Sequence, residues 1–263
     1  MLLARGVANL TVMQTTQTVL PLTKLDRFWT NELGCESGDL RAGEVRLVPC
    51  GQRQVQVLAT PDGAAVIGLP HLIACASDAT VQQLLDPEFW SEQLDAGRGR
   101  IAFYGPSALS YATKHTFQPH SHPFVRLLKR RDAGELGRFA RILQAREPEI
   151  FHAWAIGGRV TANERLWGAY FEGKIVSMGG TRPVTKYLFE VGINTLPRHR
   201  NKGWGTAVAS AATSGALSFV PLVQWSAPLH NEPSLRIARR LGYQPYAHQL
   251  WLSPPDDVAV SHL

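Results

Sequence analysis

The chain holds little that could cross-link it or hold a metal. Three of its 263 residues are cysteine, Cys35, Cys50 and Cys75. Their number is odd, all fall in the first third, and no Cys-x-x-Cys or His/Cys spacing joins them. That argues against a disulfide framework or a zinc site and for three reduced thiols. Long apolar runs are missing as well, since no stretch approaches the ~18 residues that cross a bilayer. The opening MLLARGVANLTVMQTT has one arginine and no continuous apolar core. No signal peptide and no membrane partner are expected, and the chain reads as cytoplasmic. Charged residues make up 18% of it, too few for long disordered tails. Lysine is scarce, at 6 of the 27 cationic residues. The net charge of +6 suits an anionic partner such as a nucleotide or coenzyme. The cations are scattered and form no stripe interleaved with aromatics, so nucleic acid is not expected.

An apolar fraction of 44% permits a sizeable core, in one large domain or two of about 130 residues. In the first half, Leu25–Leu33 reads as a short helix. EVRLVP and QVQVLAT alternate like strands around a turn-like CGQRQ, and PDG at 61–63 turns the chain into a buried strand, AAVIGLP. Thr80–Leu94 has helical spacing interrupted by Pro87, and RIAFYGPSALSYAT reads as a strand, a turn at Gly105–Pro106 and a second apolar segment. FQPHSHPF at 117–124 reads as an exposed linker. His115, His120 and His122 lie in or beside it, but no helix fixes their spacing and no carboxylate is near, so no metal is expected. The expected division is therefore 1–122, an α+β domain, and 123–263.

The second half has stronger patterning. FVRLL is a strand, and Asp132 with Glu135 three residues on reads as a capping box for a helix to about Arg146. RLWGAYFEGKIVSMGG is a hairpin turning at Glu172–Gly173, and YLFEVGINTLP is a further strand. A small-residue helix from Gly203 to Phe219, the strand PLVQWSAP, a helix ended by Gly242 and the strand QPYAHQLWL follow. The order β–α–ββ–β–α–β–α–β implies an α/β class: a twisted mixed sheet with helices on both faces.

Between strand and helix lies PRHRNKGWGT. Gly203 and Gly205 lack Cβ, so amide groups can approach a ligand there, and the next helix offers unpaired N–H groups and its positive dipole end. Arg198, Arg200 and Lys202 add positive charge. Together they read as an anion cradle. A Walker loop does not fit, because Lys202 precedes its glycine, and Val208 stands where a dinucleotide fingerprint needs a third glycine.

The combination resembles the GCN5-related N-acetyltransferase (GNAT) superfamily. Its Arg/Gln-x-x-Gly-x-Gly/Ala signature is matched by Arg200, Gly203 and Gly205. A second element, an Asn opening a helix that closes on Leu-Gly-Phe/Tyr, is matched in NEPSLRIARRLGY by Asn231, Ser234, Leu241, Gly242 and Tyr243. The resemblance covers about residues 124–253. It implies acetyl-coenzyme A as cosubstrate. Its pyrophosphate would lie on the loop of Arg198, Arg200, Asn201, Lys202, Gly203, Trp204, Gly205 and Thr206. Its pantetheine arm would lie along main-chain groups of Ile193, Asn194 and Thr195. Asn231 and Ser234 would serve the lower arm, although Asn231 reads equally as a helix cap. Trp204 reads as packing rather than stacking on adenine.

Acyl transfer to an amine needs a proton acceptor, and Glu190 is the carboxylate embedded in the apolar strand before the loop. The resemblance also implies a tyrosine seven residues after Asn231, where Ala238 stands, leaving Ser234 or Tyr243 as the acid. The first half reads as a degenerate copy of the same fold or as an unrelated cap that shapes the acceptor pocket or makes a homodimer. The expected activity is transfer of acetyl to a small-molecule amine by direct attack in a ternary complex. A protein acceptor and a non-catalytic coenzyme A-binding regulatory module are the alternatives.

Overall fold

The computed structural model describes residues 20–36, 38–94, 101–147 and 165–254. The amino-terminal stretch read as lacking a signal peptide lies outside them. The strands are β1 (Val45–Pro49), β2 (Val55–Thr60), β3 (Gly63–Gly68), β4 (Ala102–Ala112), β5 (Val125–Leu127), β6 (Leu166–Phe171), β7 (Lys174–Pro183), β8 (Leu188–Thr195), β9 (Leu222–Pro228) and β10 (Gln244–Ser253). The helices are α1 (Leu22–Leu33), α2 (Pro70–Ile73), α3 (Val81–Leu84), α4 (Pro87–Gln93), α5 (Ala133–Arg146), α6 (Trp204–Leu217) and α7 (Glu232–Arg240). The ten strands of the described residues form one sheet in the order β1-β3-β2-β10-β4-β9-β8-β7-β6-β5. Pairing is antiparallel except at β1/β3 and β8/β9.

Strand alternation sorts side chains to two faces. Leu58 of β2, Leu109 and Tyr111 of β4, Leu188 of β8 and Tyr246 of β10 pack with Leu25, Trp29 and Leu33 of α1. Leu196, just past β8 on the same face, packs with Leu136, Phe139 and Leu143 of α5. On the other face, Val55 and Val57 of β2 and Leu250 and Leu252 of β10 pack with Leu72, Leu84 and Trp90. Val223 and Trp225 of β9 pack there with Ala209, Ala212 and Ala216 of α6 and Ala238 of α7. The small side chains of α6 let it lie close on the sheet, which is why that helix is buried nearly all round.

The sheet runs across the junction at 122/123. β4, from the first half, lies between β9 and β10, and β10, from the second half, carries β2. Gly105–Pro106 does not turn the chain as its dipeptide suggested. The bond is cis and the strand continues through it, with register shifts opposite β10. Nor is 117–124 a free linker. Phe117 packs in the α6/α7 core, the Gln118 N–H donates to the Leu241 carbonyl at 2.9 Å, and the His120 N–H donates to Ser210 Oγ of α6 at 2.7 Å. Gly242 is pinned by this segment. Its φ is +79°, and an added Cβ would stand 2.0 Å from the Thr116 carbonyl oxygen.

The expected capping box at Asp132 is replaced by an ion pair. Arg126 donates to both Asp132 oxygens at 2.8 Å and the Lys129 N–H donates to Oδ2, while the side chain makes no bond to the helix it precedes. Glu135 instead accepts from Arg138 and from the Ile175 N–H of β7. Among the described residues no helix is long and apolar enough to cross a membrane.

Candidate active site

The site begins where two neighbouring strands part. β8 and β9 run parallel and are in register only at Leu188/Leu222, Phe189/Val223 and Glu190/Gln224. Past Glu190, β8 continues to Thr195 with β7 alone beside it, and past Gln224, β9 continues to Pro228 with β4 alone beside it. Glu190 and Gln224 thus sit at the vertex of a V-shaped opening.

The phase of the β7/β8 ladder decides which amides face that opening. The Leu196 N–H donates to Val176, so Leu196 is a hydrogen-bonded position and every second residue before it also points its main chain at β7. Ile193 and Thr195 therefore turn their N–H and C=O groups towards the opening. Asn194, expected from the sequence to do the same, spends its carbonyl inside the ladder, where Ser177 Oγ also donates to it at 3.0 Å. Its contribution is the side chain. Asn194 is buried and its Nδ2 has no hydrogen-bond partner.

The opening leads to the head of α6. Leu196 follows β8, Pro197–His199 make one 3-10 turn, and Gly203 caps the helix at φ +83°, a conformation that favours glycine. Asn201 also takes a positive φ, of 58°. A Cβ at Gly203 would meet nothing within 4 Å, whereas one at Gly205 would meet Thr195 Oγ1 at 3.2 Å and Ile237 Cδ1 at 3.3 Å. The first glycine thus faces free space and the second lets α6 close onto β8 and α7. Arg198, Asn201 and Lys202 are exposed, and the two cations have no ion-pair partner among the described residues. Arg200 is engaged otherwise. It pairs with Glu147 at the end of α5, and its Nε donates to the Thr195 carbonyl at 3.1 Å, bracing the end of β8. His199 has a titration range lowered by burial and then by Lys202, so it is neutral over a wider pH range. Trp204 is buried beneath the loop, its ring 4.8 Å from that of His122, which makes it a packing residue as its bulk suggested. Thr206 is buried as well.

The described residues fit a coenzyme A-like ligand on four counts. There is an unpaired strand edge for a peptide-like arm, free space over Gly203 at a helix head, two unpaired cations beside it, and an orphaned amide donor on Asn194.

Glu190 is buried at the vertex. Arg182 of β7 donates to its Oε2 at 2.5 Å, and Gln224 Nε2 donates to its Oε1 at 3.4 Å. The two acid candidates fare differently from expectation. Tyr243 does not reach the opening: its ring is in the α6/α7 core and its hydroxyl shares a 2.6 Å hydrogen bond with Thr213 Oγ1. Burial pushes its ionisation far up, as befits a core residue. Ser234 Oγ accepts from Trp225 Nε1 at 3.1 Å, which leaves its own proton free but directs the side chain under β9. Asn231 Oδ1 accepts from the Ser234 N–H at 3.2 Å, a helix cap. Arg182, Gln224, Tyr111 and Trp29 were missed from the sequence. A glutamine inside the apolar VQWSA strand was the one available signal.

Residues 167–248 match a family model described as GNAT acetyltransferase. That match falls within the second half of the chain and includes the split, the loop and α7. No curated protein matches the chain. Among solved structures, it is similar to a GNAT-family acetyltransferase from Colwellia psychrerythraea at 17% identity and TM-score 0.47, over 59% of this chain and 57% of that one. A GCN5-related N-acetyltransferase from Kribbella flavida aligns at 19% identity and TM-score 0.43, over 59% and 60%. AAC(6')-Iy in complex with the bisubstrate analogue CoA-S-monomethyl-acetylneamine aligns at 17% identity and TM-score 0.38, over 47% and 92%. The chain thus spans about six-tenths of the length of the first two.

Proposed function

We propose that the protein is an N-acetyltransferase that moves an acetyl group from acetyl-coenzyme A to the amine of a small molecule, by direct attack within a ternary complex. The observation that carries this reading is the loss of β8/β9 pairing beyond Glu190/Gln224, which opens onto the glycine-capped head of α6. The match of residues 167–248 to the acetyltransferase family model supports it.

Several residues of the opening have a part under this reading. Amides at the head of α6, with Arg198 and Lys202, bind the diphosphate. The open edge at Ile193 and Thr195 pairs with the pantetheine amides, and Asn194 Nδ2 finds its missing acceptor there. Acetyl-coenzyme A, when bound, supplies the acyl group as a thioester. Under this reading the Ile193 N–H on the open edge donates to the developing oxyanion, and such a donor is worth about 3 kcal/mol in a dry site. Glu190, a partner of Arg182 with lone pairs to spare, draws the acceptor's ammonium towards the vertex and takes up its proton, directly or through water. No acid is required of Tyr243, because the departing thiol has a pKa near ~8.5 and leaves readily as a thiolate.

The test is thiol release from acetyl-coenzyme A with a panel of primary amines. Release with at least one amine is expected. Glu190→Gln should lower kcat by about 10²–10⁴ while the thermal shift given by acetyl-coenzyme A persists. Binding without release for any small or peptide amine would leave a coenzyme A-binding module instead and overturn the enzyme.

A further inference from the structure

Behind Glu190 runs a chain of side chains that ends in the first half of the protein. Trp29 Nε1 of α1 donates to the Tyr111 hydroxyl at 2.9 Å, and the Tyr111 hydroxyl donates to Gln224 Oε1 at 2.8 Å. Gln224 Nε2 then reaches Glu190 Oε1 at 3.4 Å. Tyr111 and Trp29 are buried on the α1 face, and Gln224 is buried at the vertex.

The chemistry of the two ends fixes every member between them. An indole N–H can only donate, and a carboxylate can only accept. Because Tyr111 accepts from Trp29, its own proton must go on to Gln224. That bond commits the amide oxygen of Gln224 to Tyr111 and leaves only the NH₂ end for Glu190. Without Trp29 and Tyr111 the amide could turn over and set its oxygen against the carboxylate. The chain is therefore polarised in one direction, from the first half towards the site.

We infer that Tyr111 and Gln224 are positioning residues for Glu190, and that the first half of the chain, through Trp29, keeps that carboxylate aimed at the opening. The inference rests on the proposed acetyltransfer only for what Glu190 does, not for how it is held. Among the described residues, the charged and titratable groups facing Glu190 are Arg182 on β7 and, behind Gln224, Tyr111 on β4. Tyr246 on β10 and Asp26 on α1, the latter paired with Arg41, lie one layer further, the Tyr246 ring 5.5 Å from that of Tyr111. Arg182 is largely exposed, so its pull on Glu190 is screened by water. The buried Gln224 donor is not.

The test uses the full chain labelled with carboxyl-¹³C glutamate, in which the resonance lost in Glu190→Gln belongs to Glu190. Its titration midpoint should move up in Tyr111→Phe and in Gln224→Leu, the direction that loss of a donor to the charged form requires. In amine turnover both variants should lose about tenfold in kcat with KM for acetyl-coenzyme A unchanged, and the acidic limb of the rate profile should move up with the midpoint. Two substitutions guard against a variant that fails to fold. An unmoved Glu190 midpoint in a folded variant overturns the inference even if the protein is an acetyltransferase. Conversely, a moved midpoint with no turnover in the wild type sustains the hydrogen-bond chain and removes the acetyltransferase reading.

Discussion

Replacing Gly203 by glutamate separates a phosphate-binding loop from an ordinary turn. Gly203 has φ +83°, and a Cβ added there meets nothing within 4 Å. Any L side chain at this position therefore costs about 1–2 kcal/mol in backbone strain and nothing in clashes. For a chain of this size each kcal/mol moves the midpoint of thermal unfolding by about 2–4 °C, so Gly203→Ala and Gly203→Glu should both start a few degrees lower. Their response to ligand should then diverge. Acetyl-coenzyme A at 100 times its Kd stabilises the wild type by about 2.7 kcal/mol, a rise of about 5–10 °C. The alanine variant keeps the free space and the exposed cations, and should keep most of that rise. The glutamate brings a negative charge into the space the diphosphate would take, and an assumed separation of about 5 Å sets the scale of the repulsion. One pair of unit charges at that distance repels by about 1 kcal/mol at the dielectric of water and about 3 kcal/mol at an effective value of 20. A diphosphate carries at least two charges, so a loss of about 2 kcal/mol or more is expected, roughly thirtyfold in Kd. At the same ligand concentration the rise should shrink to about a third or less of the wild-type value. The assay is thermal unfolding with and without ligand, run on all three proteins at low ionic strength. Equal rises in the wild type and the glutamate variant would show that the coenzyme is not held at the head of α6.

Two further substitutions test the frame around the site. Arg126 holds the buried Asp132 carboxyl well below the ordinary carboxylate range. The folded value is depressed, so the stability this adds is complete above ~4 and is lost as pH falls towards the folded value. Arg126→Ala should cost about 1–3 kcal/mol in urea unfolding at pH 7, a gap that narrows below about pH 4. A gap independent of pH would refute the pairing. Gly242→Ala combines a positive φ with a Cβ 2.0 Å from a main-chain oxygen that cannot swing aside. It should destabilise by about 2–5 kcal/mol and lower the thermal midpoint accordingly, and a neutral effect would contradict the docking of residues 116–118 on α7.

Local chemistry made the second half legible. Among the described residues the order β–α–ββ–β–α–β–α–β is what the structure shows from β5 to β10, because each boundary has its own signal. Glu172 and Gly173 take φ values of 50° and 74° in the β6–β7 turn, Gly203 and Gly242 take 83° and 79° at helix ends, and Asn231 caps α7. What failed were features decided by partners on other elements. Asp132 looked like a cap until Arg126 captured it, and Tyr243 looked like an acid until Thr213 and the α6/α7 core enclosed it. The split itself left no trace in either strand. β8 and β9 are both mostly apolar and strand-forming on either side of the split, and only their three-residue register tells where pairing stops. Gln224 stood out as a polar residue in an apolar run, but its partners Tyr111 and Trp29 lie more than 100 residues away in sequence.

Why such a split is stable follows from the outer edges of its two walls. A strand that loses one neighbour leaves a row of unpaired amides and tends to fray or to recruit another edge. On one wall, β7 pairs with β8 from Phe189 as far as Thr195, well past the last β9 partner. On the other wall, β4 pairs with β9 from Val223 to Pro228, and Ser107–Ser110 lie opposite the four residues Trp225–Pro228 that β8 has released. Each wall is thus held by a full ladder on its far side while its near side stays open. The strand that performs this service for β9 comes from the first half of the chain, and its Tyr111 also orients Gln224 at the vertex. Deleting the first half would remove the far-side ladder of one wall and the hydrogen-bond support of Glu190 together. Its contribution is therefore to the site itself, and it would persist even if the acceptor touched none of its residues.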